Sequence, residues 1–248
     1  SIKVDIEKDT GRITVYNDGD GIHIVEIEEH GCYAPELIFG HLLTGTNYND
    51  SEERIVGGQN GYGAKLANIF SKEFLIETVD KSRNLKYIQT FTNNMTSRTE
   101  PKITTYSSKP YTRISFIPDY SRFGLEGLTE DMISLLEKRV YDIAAWTNKT
   151  ISVFLNNHKL EFKTFEKYVD LYIGPKTEHP RVHLELGDRW EVVATYNDSS
   201  NFEQVSFVNG IHTSKGGKHV EYILNQITRK LCDFIEKKKK VKVIFILG

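Results

Sequence analysis

Residues 57–65 read Gly57-Gly58-Gln59-Asn60-Gly61-Tyr62-Gly63-Ala64-Lys65, with four glycines immediately ahead of a stretch, 64–70, that reads as a helix. Glycine tolerates backbone conformations that other residues resist, so several N–H groups can turn toward one point, where the helix dipole also favours negative charge. Phosphate suits such a cradle, and Lys65 on the first helical turn can add a charge-assisted contact. The same letters also describe a glycine-rich surface loop with an exposed lysine, and spacing alone does not separate the two. Two phosphate-binding architectures are excluded. A Walker loop needs Gly-Lys followed by Ser or Thr, but here Ala64 precedes Lys65 and Leu66 follows it. The dinucleotide fingerprint needs a third glycine where Leu66 stands.

The surrounding pattern is mixed α and β. Ile2, Val4 and Ile6 alternate with polar residues, Lys8 to Gly11 supply turn chemistry, and Ile13 and Val15 resume the alternation, which predicts a hairpin. A short helix is expected over 34–43, opened by Pro35. Residues 44–63 form a loop of about twenty residues, long enough to act as a lid. Strands are expected at 74–79, 85–91, 103–106 and 112–117, closing a first domain, 1–123. A second, 124–248, opens with a helix over 129–147, capped by Thr129 and burying Met132, Leu136, Val140 and Ile143. Strands at 151–155, 181–186, 189–196 and 205–208, a short helix at 165–172, a long helix at 220–237 and a strand at 241–247 follow.

Composition narrows the function classes. The chain has 248 residues, is 39% hydrophobic and 27% charged, and contains no apolar run near the roughly 20 residues that span a bilayer. It is expected to be soluble, without a secretory leader, and cut from a longer protein at both ends. Cys32 and Cys232 stand far apart in no ligand spacing, which predicts neither a disulfide scaffold nor a zinc site. The formal charge of −2 provides no global attraction to nucleic acid, so any DNA contact needs a local patch. Lys237 to Lys240 are such a run; they read as a solvated helix end complementing the dipole or as a contact to phosphates.

Two further segments carry glycines. Asn17-Asp18-Gly19-Asp20-Gly21 is either a hairpin exit or a floor beneath a base that the Asn17 side chain reads. Ile22 stands where a calcium loop needs an oxygen ligand. Residues 209–219 join a strand to a helix with glycines and cations, either as a structural turn or as a second anion loop.

Together these segments resemble the ATPase region of eukaryotic type II DNA topoisomerases, within the superfamily of gyrase, heat-shock chaperones, mismatch-repair ATPases and histidine kinases. Asn17 to Ile22 resemble its glycine box, Leu42 to Tyr48 its ribose and phosphate segment, and Gly58 to Ser71 its phosphate loop and helix. Ser206 to Asn209 with Thr213 to Gly217 and His219 resemble the signature of its transducer. The resemblance implies an α+β fold: a two-layer α/β sandwich of the gyrase-type superfamily, followed by a second α/β transducer domain. It implies ATP as ligand, with Asn17 at the adenine, Gly45, Thr46 and Asn47 at sugar and phosphates, and Gly58, Gln59, Asn60, Gly61, Tyr62, Gly63, Ala64 and Lys65 at the triphosphate. Lys237, Lys238 and Lys239 fall where the family approaches DNA. It further implies Mg2+, a homodimer in the intact protein, a nuclear location and no membrane.

The departures from the pattern are specific. Gly45 replaces a frequent serine, Gln59 a frequent arginine, Asp20 a basic residue and His23 a proline. By the same resemblance, the general-base glutamate and the magnesium-binding asparagine lie before the first strand, so no catalytic residue and no metal ligand are assigned in this chain. The transducer lysine, the DNA-cleaving tyrosine and the dimer-forming core lie after Gly248. Hydrolysis needs a positioned base and charge stabilisation, so the chain alone is expected to bind nucleotide weakly and turn it over poorly. Another ATPase of the superfamily, such as a mismatch-repair protein, or a non-catalytic binding module stays open as an alternative.

Overall fold

The computed structural model describes residues 1–42, 57–58, 61–198 and 201–240. The alternation at the start forms the expected hairpin. β1 (Ile2–Glu7) and β2 (Arg12–Asn17) pair antiparallel with Val4 opposite Val15 and Ile6 opposite Ile13. A short ribbon, β3 (Glu26–Ile27) with β4 (Cys32–Tyr33), leads into α1 (Ala34–Gly40), where Pro35 sits in the first turn. α2 (Gly63–Ile69) runs directly into the ten-residue strand β5 (Ser71–Asp80). β6 (Leu85–Thr92), β7 (Ser97–Arg98), β8 (Lys102–Thr105) and β9 (Thr112–Pro118) follow. Next come α3 (Glu130–Trp146), β10 (Val153–Leu155), β11 (His158–Lys159), α4 (Phe165–Ile173), β12 (Arg181–Leu186) and β13 (Trp190–Thr195). The described chain ends with the hairpin β14 (Phe207–Val208) and β15 (Ile211–His212) and the helix α5 (Lys218–Lys239). The expected strand at 241–247 and most of the expected lid lie outside the described residues.

Nine strands form one sheet in the order β11-β10-β1-β2-β9-β5-β6-β7, with β8 also paired to β6. Every pairing in it is antiparallel except β1 with β10, where Ile2 lies opposite Val153 and Val4 opposite Leu155. A largely antiparallel sheet with helices packed against it is an α+β arrangement.

Two apolar clusters pack on this sheet. Val4, Ile6, Val153 and Leu155 meet Tyr120, Leu128, Leu160 and the Val140 and Ala144 face of α3. Ile24, Phe74, Ile76, Tyr87 and Phe91 form the second cluster, with Phe39 of α1 and Ala67 of α2 against it. Each fully buried side chain of this size stabilises by about 1.5–3 kcal/mol relative to exposure.

The buried stripe of α3 departs from the expected one. Met132 and Leu136 pack against the first cluster and Val140 is buried, but Ile143 is exposed while Asp142 and Ala144 are buried. The cause is a polar anchor. Asp142 accepts from Lys138 Nζ at 2.9 Å and from the Tyr168 hydroxyl of α4 at 2.6 Å, which rotates its face of the helix inward. Burial and this acceptor push the Tyr168 phenol pKa well above its ordinary value.

The chain divides into two compact units: Ser1–Glu53 with Gly58–Thr195, and Arg54–Gly57 with Tyr196–Gly248. Phe123, near the boundary expected from sequence, lies inside the first unit. The packing explains this, because β10 completes the sheet beside β1 and α3 closes the cluster over Val4 and Ile6. Compactness therefore divides the chain at Thr195.

Candidate phosphate-binding site

The turn that leaves β2 is fastened to the far end of β5. Asn17, opposite Thr112 in β9, accepts from the Gly19 amide through Oδ1 at 3.2 Å, closing an Asx turn. Gly21 has φ +79, and a Cβ there would stand 1.8 Å from the Val79 carbonyl oxygen. The Ile22 amide donates to Thr78 Oγ1 at 3.0 Å and the Ile24 amide to Asp80 Oδ2 at 2.9 Å. Thr78 Oγ1 also meets Thr112 Oγ1 at 2.9 Å, so a pair of buried hydroxyls lies beneath the glycine turn.

Asp80 is the electrostatic anchor of this corner. It is 2% exposed, and burial alone would raise its pKa. Hydrogen bonds from Ser82, from the Ile24 amide and from Arg83 outweigh that cost and hold the carboxyl far below its ordinary value. Asp80 therefore stays ionised and keeps the turn in register. No local pattern marks Thr78, Asp80 and Thr112 as a group, because they come from two strands that only folding brings together.

α2 carries the cradle candidates. Gly61 has φ +65 and Gly63 has open space around its Cα. The first turn of the helix contains no acidic residue, and among the described residues no side chain caps it. Asn68, fully buried, donates to the Phe39 carbonyl of α1 at 3.1 Å, and Ser71 Oγ donates to the Ala67 carbonyl at 2.5 Å. These bonds fix α2 between α1 and the start of β5.

Lys65 is buried. It is 3% exposed, and burial is the sole cause of a pKa held below the ordinary lysine value. A lysine head group withdrawn from water, with no carboxylate beside it among the described residues, is destabilising until an anion arrives. It is not the exposed lysine of an ordinary surface loop.

β5 thus carries the Asn17 turn at its far end and α2 at its start, with Tyr62 and Ala64 exposed at the beginning of the helix. Gly45, Thr46, Asn47, Gln59 and Asn60 lie outside the described residues. In the other unit, Gly57 lies close against Ile211.

Residues 209–219 are bound to one another. Ser206 Oγ meets Thr213 Oγ1 at 2.6 Å, and Thr213 Oγ1 meets His219 Nε2 at 3.1 Å, which favours the structural-turn reading of this segment. Lys237, Lys238 and Lys239 occupy the exposed last turn of α5, with Lys238 Nζ 4.9 Å from the Phe234 ring centre.

Residues 154–244 match the DNA gyrase B family. The chain is 49% identical over 241 residues to the probable DNA topoisomerase 2 of Dictyostelium discoideum, covering 96% of this chain and 16% of that protein. It is 47% identical over 246 residues to DNA topoisomerase 2 of Pisum sativum, covering 97% of this chain and 17% of that protein. The ATPase region of Saccharomyces cerevisiae topoisomerase II superposes with a TM-score of 0.88 at 44% identity, over 97% of this chain and 62% of that one. The chain spans about a sixth of the length of the two topoisomerases it matches in sequence. Near-complete alignment at this identity, joined to the same fold, means that the chain belongs to the type II DNA topoisomerase family, in the stretch that corresponds to its ATPase region.

Proposed function

We propose that this chain is the ATP-binding and transducer part of a type II DNA topoisomerase, with the ATP-binding role in residues 1–123 and the transducer role in 124–248. Lys65 at the head of α2, buried with no carboxylate beside it among the described residues, carries the reading, because a triphosphate supplies negative charge to such a group. Asn17 faces the base, and Gly45 to Asn47 with Gly58 to Lys65 hold sugar and phosphates. In the intact protein, a nuclear homodimer, ATP closes a gate around one DNA duplex while another is cut and passed.

Mg2+ accompanies the triphosphate in this reading, and no ligand to it is assigned to this chain. Among the described residues, the groups of three metal-ligating side chains near one another are Cys32, Glu36 and His41, and His183, Glu185 and Glu191, neither of which belongs to the loop. The contribution of this chain is to bind and orient phosphate.

Calorimetric titration tests the assignment. A non-hydrolysable ATP analogue should bind about tenfold or more tightly than adenosine, since charge-assisted contacts each contribute about 1.5–3 kcal/mol. Equal affinities would contradict a phosphate cradle.

Lys237 to Lys239 are proposed to contact DNA phosphates. Replacing all three with Ala in the intact protein should reduce the slope of log affinity against log salt by up to about 2.7, at about 0.9 per phosphate contact. An unchanged slope would remove them from the interface.

A further inference from the structure

Three side chains around α1 have no part in the nucleotide site. Cys32 on β4, Glu36 in the first turn of α1 and His41 at its C-cap place one donor atom each within 4.8 Å of one another. Cys32 Sγ lies 3.8 Å from His41 Nε2, and His41 Nε2 lies 3.9 Å from Glu36 Oε1. Zn2+ bonds of about 2.0–2.3 Å in a tetrahedron put S, N and O donors roughly 3.4–3.6 Å apart. The Cys32–His41 and His41–Glu36 separations are within a few tenths of an ångström of that spacing, and the third pair lies within 4.8 Å.

The carboxylate is held as a metal ligand is usually held. Gln89 Nε2 donates to Glu36 Oε2 at 2.6 Å, and the Tyr87 hydroxyl donates to Gln89 Oε1 at 2.6 Å. Glu36 is 4% exposed, and its other oxygen, Oε1, is buried without a hydrogen-bond partner although the Arg98 guanidinium is 2.8 Å away. Arg98 belongs to the two-residue edge strand β7 and is exposed, so it can swing into solvent. The His30 ring centre lies 6.2 Å from that of His41.

We propose that Cys32, Glu36 and His41 form a site for a borderline-soft divalent transition metal, Zn2+ first, which clips β4 to both ends of α1. A thiolate with an imidazole selects zinc over magnesium or calcium. Binding forms the metal–sulfur bond and releases the Cys32 thiol proton to solvent. The site escapes cysteine spacing because it uses one thiol, one carboxylate and one imidazole.

Co2+ and Zn2+ salts test this in a Cys232→Ser background, which leaves Cys32 as the sole thiol. Co2+ should give a thiolate-to-metal charge-transfer band that saturates at one equivalent and is erased by Zn2+. Cys32→Ala should abolish the band, and His41→Gln and Glu36→Gln should weaken binding about tenfold or more, with circular dichroism confirming that each variant is folded. Absence of the band in the Cys232→Ser protein, or its survival in Cys32→Ala, would overturn the site.

Discussion

Lys65→Met should weaken binding of a non-hydrolysable ATP analogue by roughly 10- to 100-fold while leaving the ligand-free chain as stable as before or more so. Binding falls because a charge-assisted contact contributes about 1.5–3 kcal/mol. Stability does not fall, because methionine fills similar volume without a buried charge. The sign of the pH dependence follows from the same burial. The folded pKa of Lys65 is depressed below 10.5, so between the two values the unfolded chain binds more protons than the folded one. Lys65 therefore makes stability rise with pH across that window, and the increment should vanish in Lys65→Met. Paired analogue titrations and urea melts measure both effects. A variant that binds normally, or that loses stability as a broken buried ion pair would, contradicts the assignment.

Gly21→Ala should cost more than about 3 kcal/mol and remove nucleotide binding with it. Two penalties combine at this position: a positive φ that disfavours any Cβ by about 1–2 kcal/mol, and the 1.8 Å approach to the Val79 carbonyl. Relief requires the turn to lift from β5, which breaks the Ile22 to Thr78 and Ile24 to Asp80 hydrogen bonds. Gly19→Ala provides the control, because its Cβ would meet only the Asn17 Oδ1 atom at 3.1 Å and its φ is not in the left-handed region. Urea midpoints of the two variants should differ widely. Equal midpoints would mean that the turn is not pinned as described.

The parts of this fold set by local pattern were legible in the sequence. The β1–β2 hairpin, Pro35 at the start of α1 and the Thr129 cap of α3 all lie where alternation, turn residues and capping chemistry place them. What sequence did not show depends on contacts between distant residues. The parallel pairing of β10 with β1 joins residues about 150 positions apart, and it carries the first sheet past the expected boundary near Phe123. The turn of the α3 face follows from Asp142 reaching Tyr168 on another helix. The glycine loop and Lys65 were visible as a motif, but only packing shows the lysine buried. Thr78, Thr112 and Asp80 lacked a motif, as did Cys32 with Glu36 and His41, because each set is assembled from separate elements.

The central claim is that Lys65 waits, desolvated, for phosphate. Its side-chain pKa, followed by lysine NMR with the signal assigned by its loss in Lys65→Met, tests this most directly. The value should lie below 10.5 in the free chain and rise when a non-hydrolysable ATP analogue is added. An ordinary value that does not move with nucleotide would contradict it.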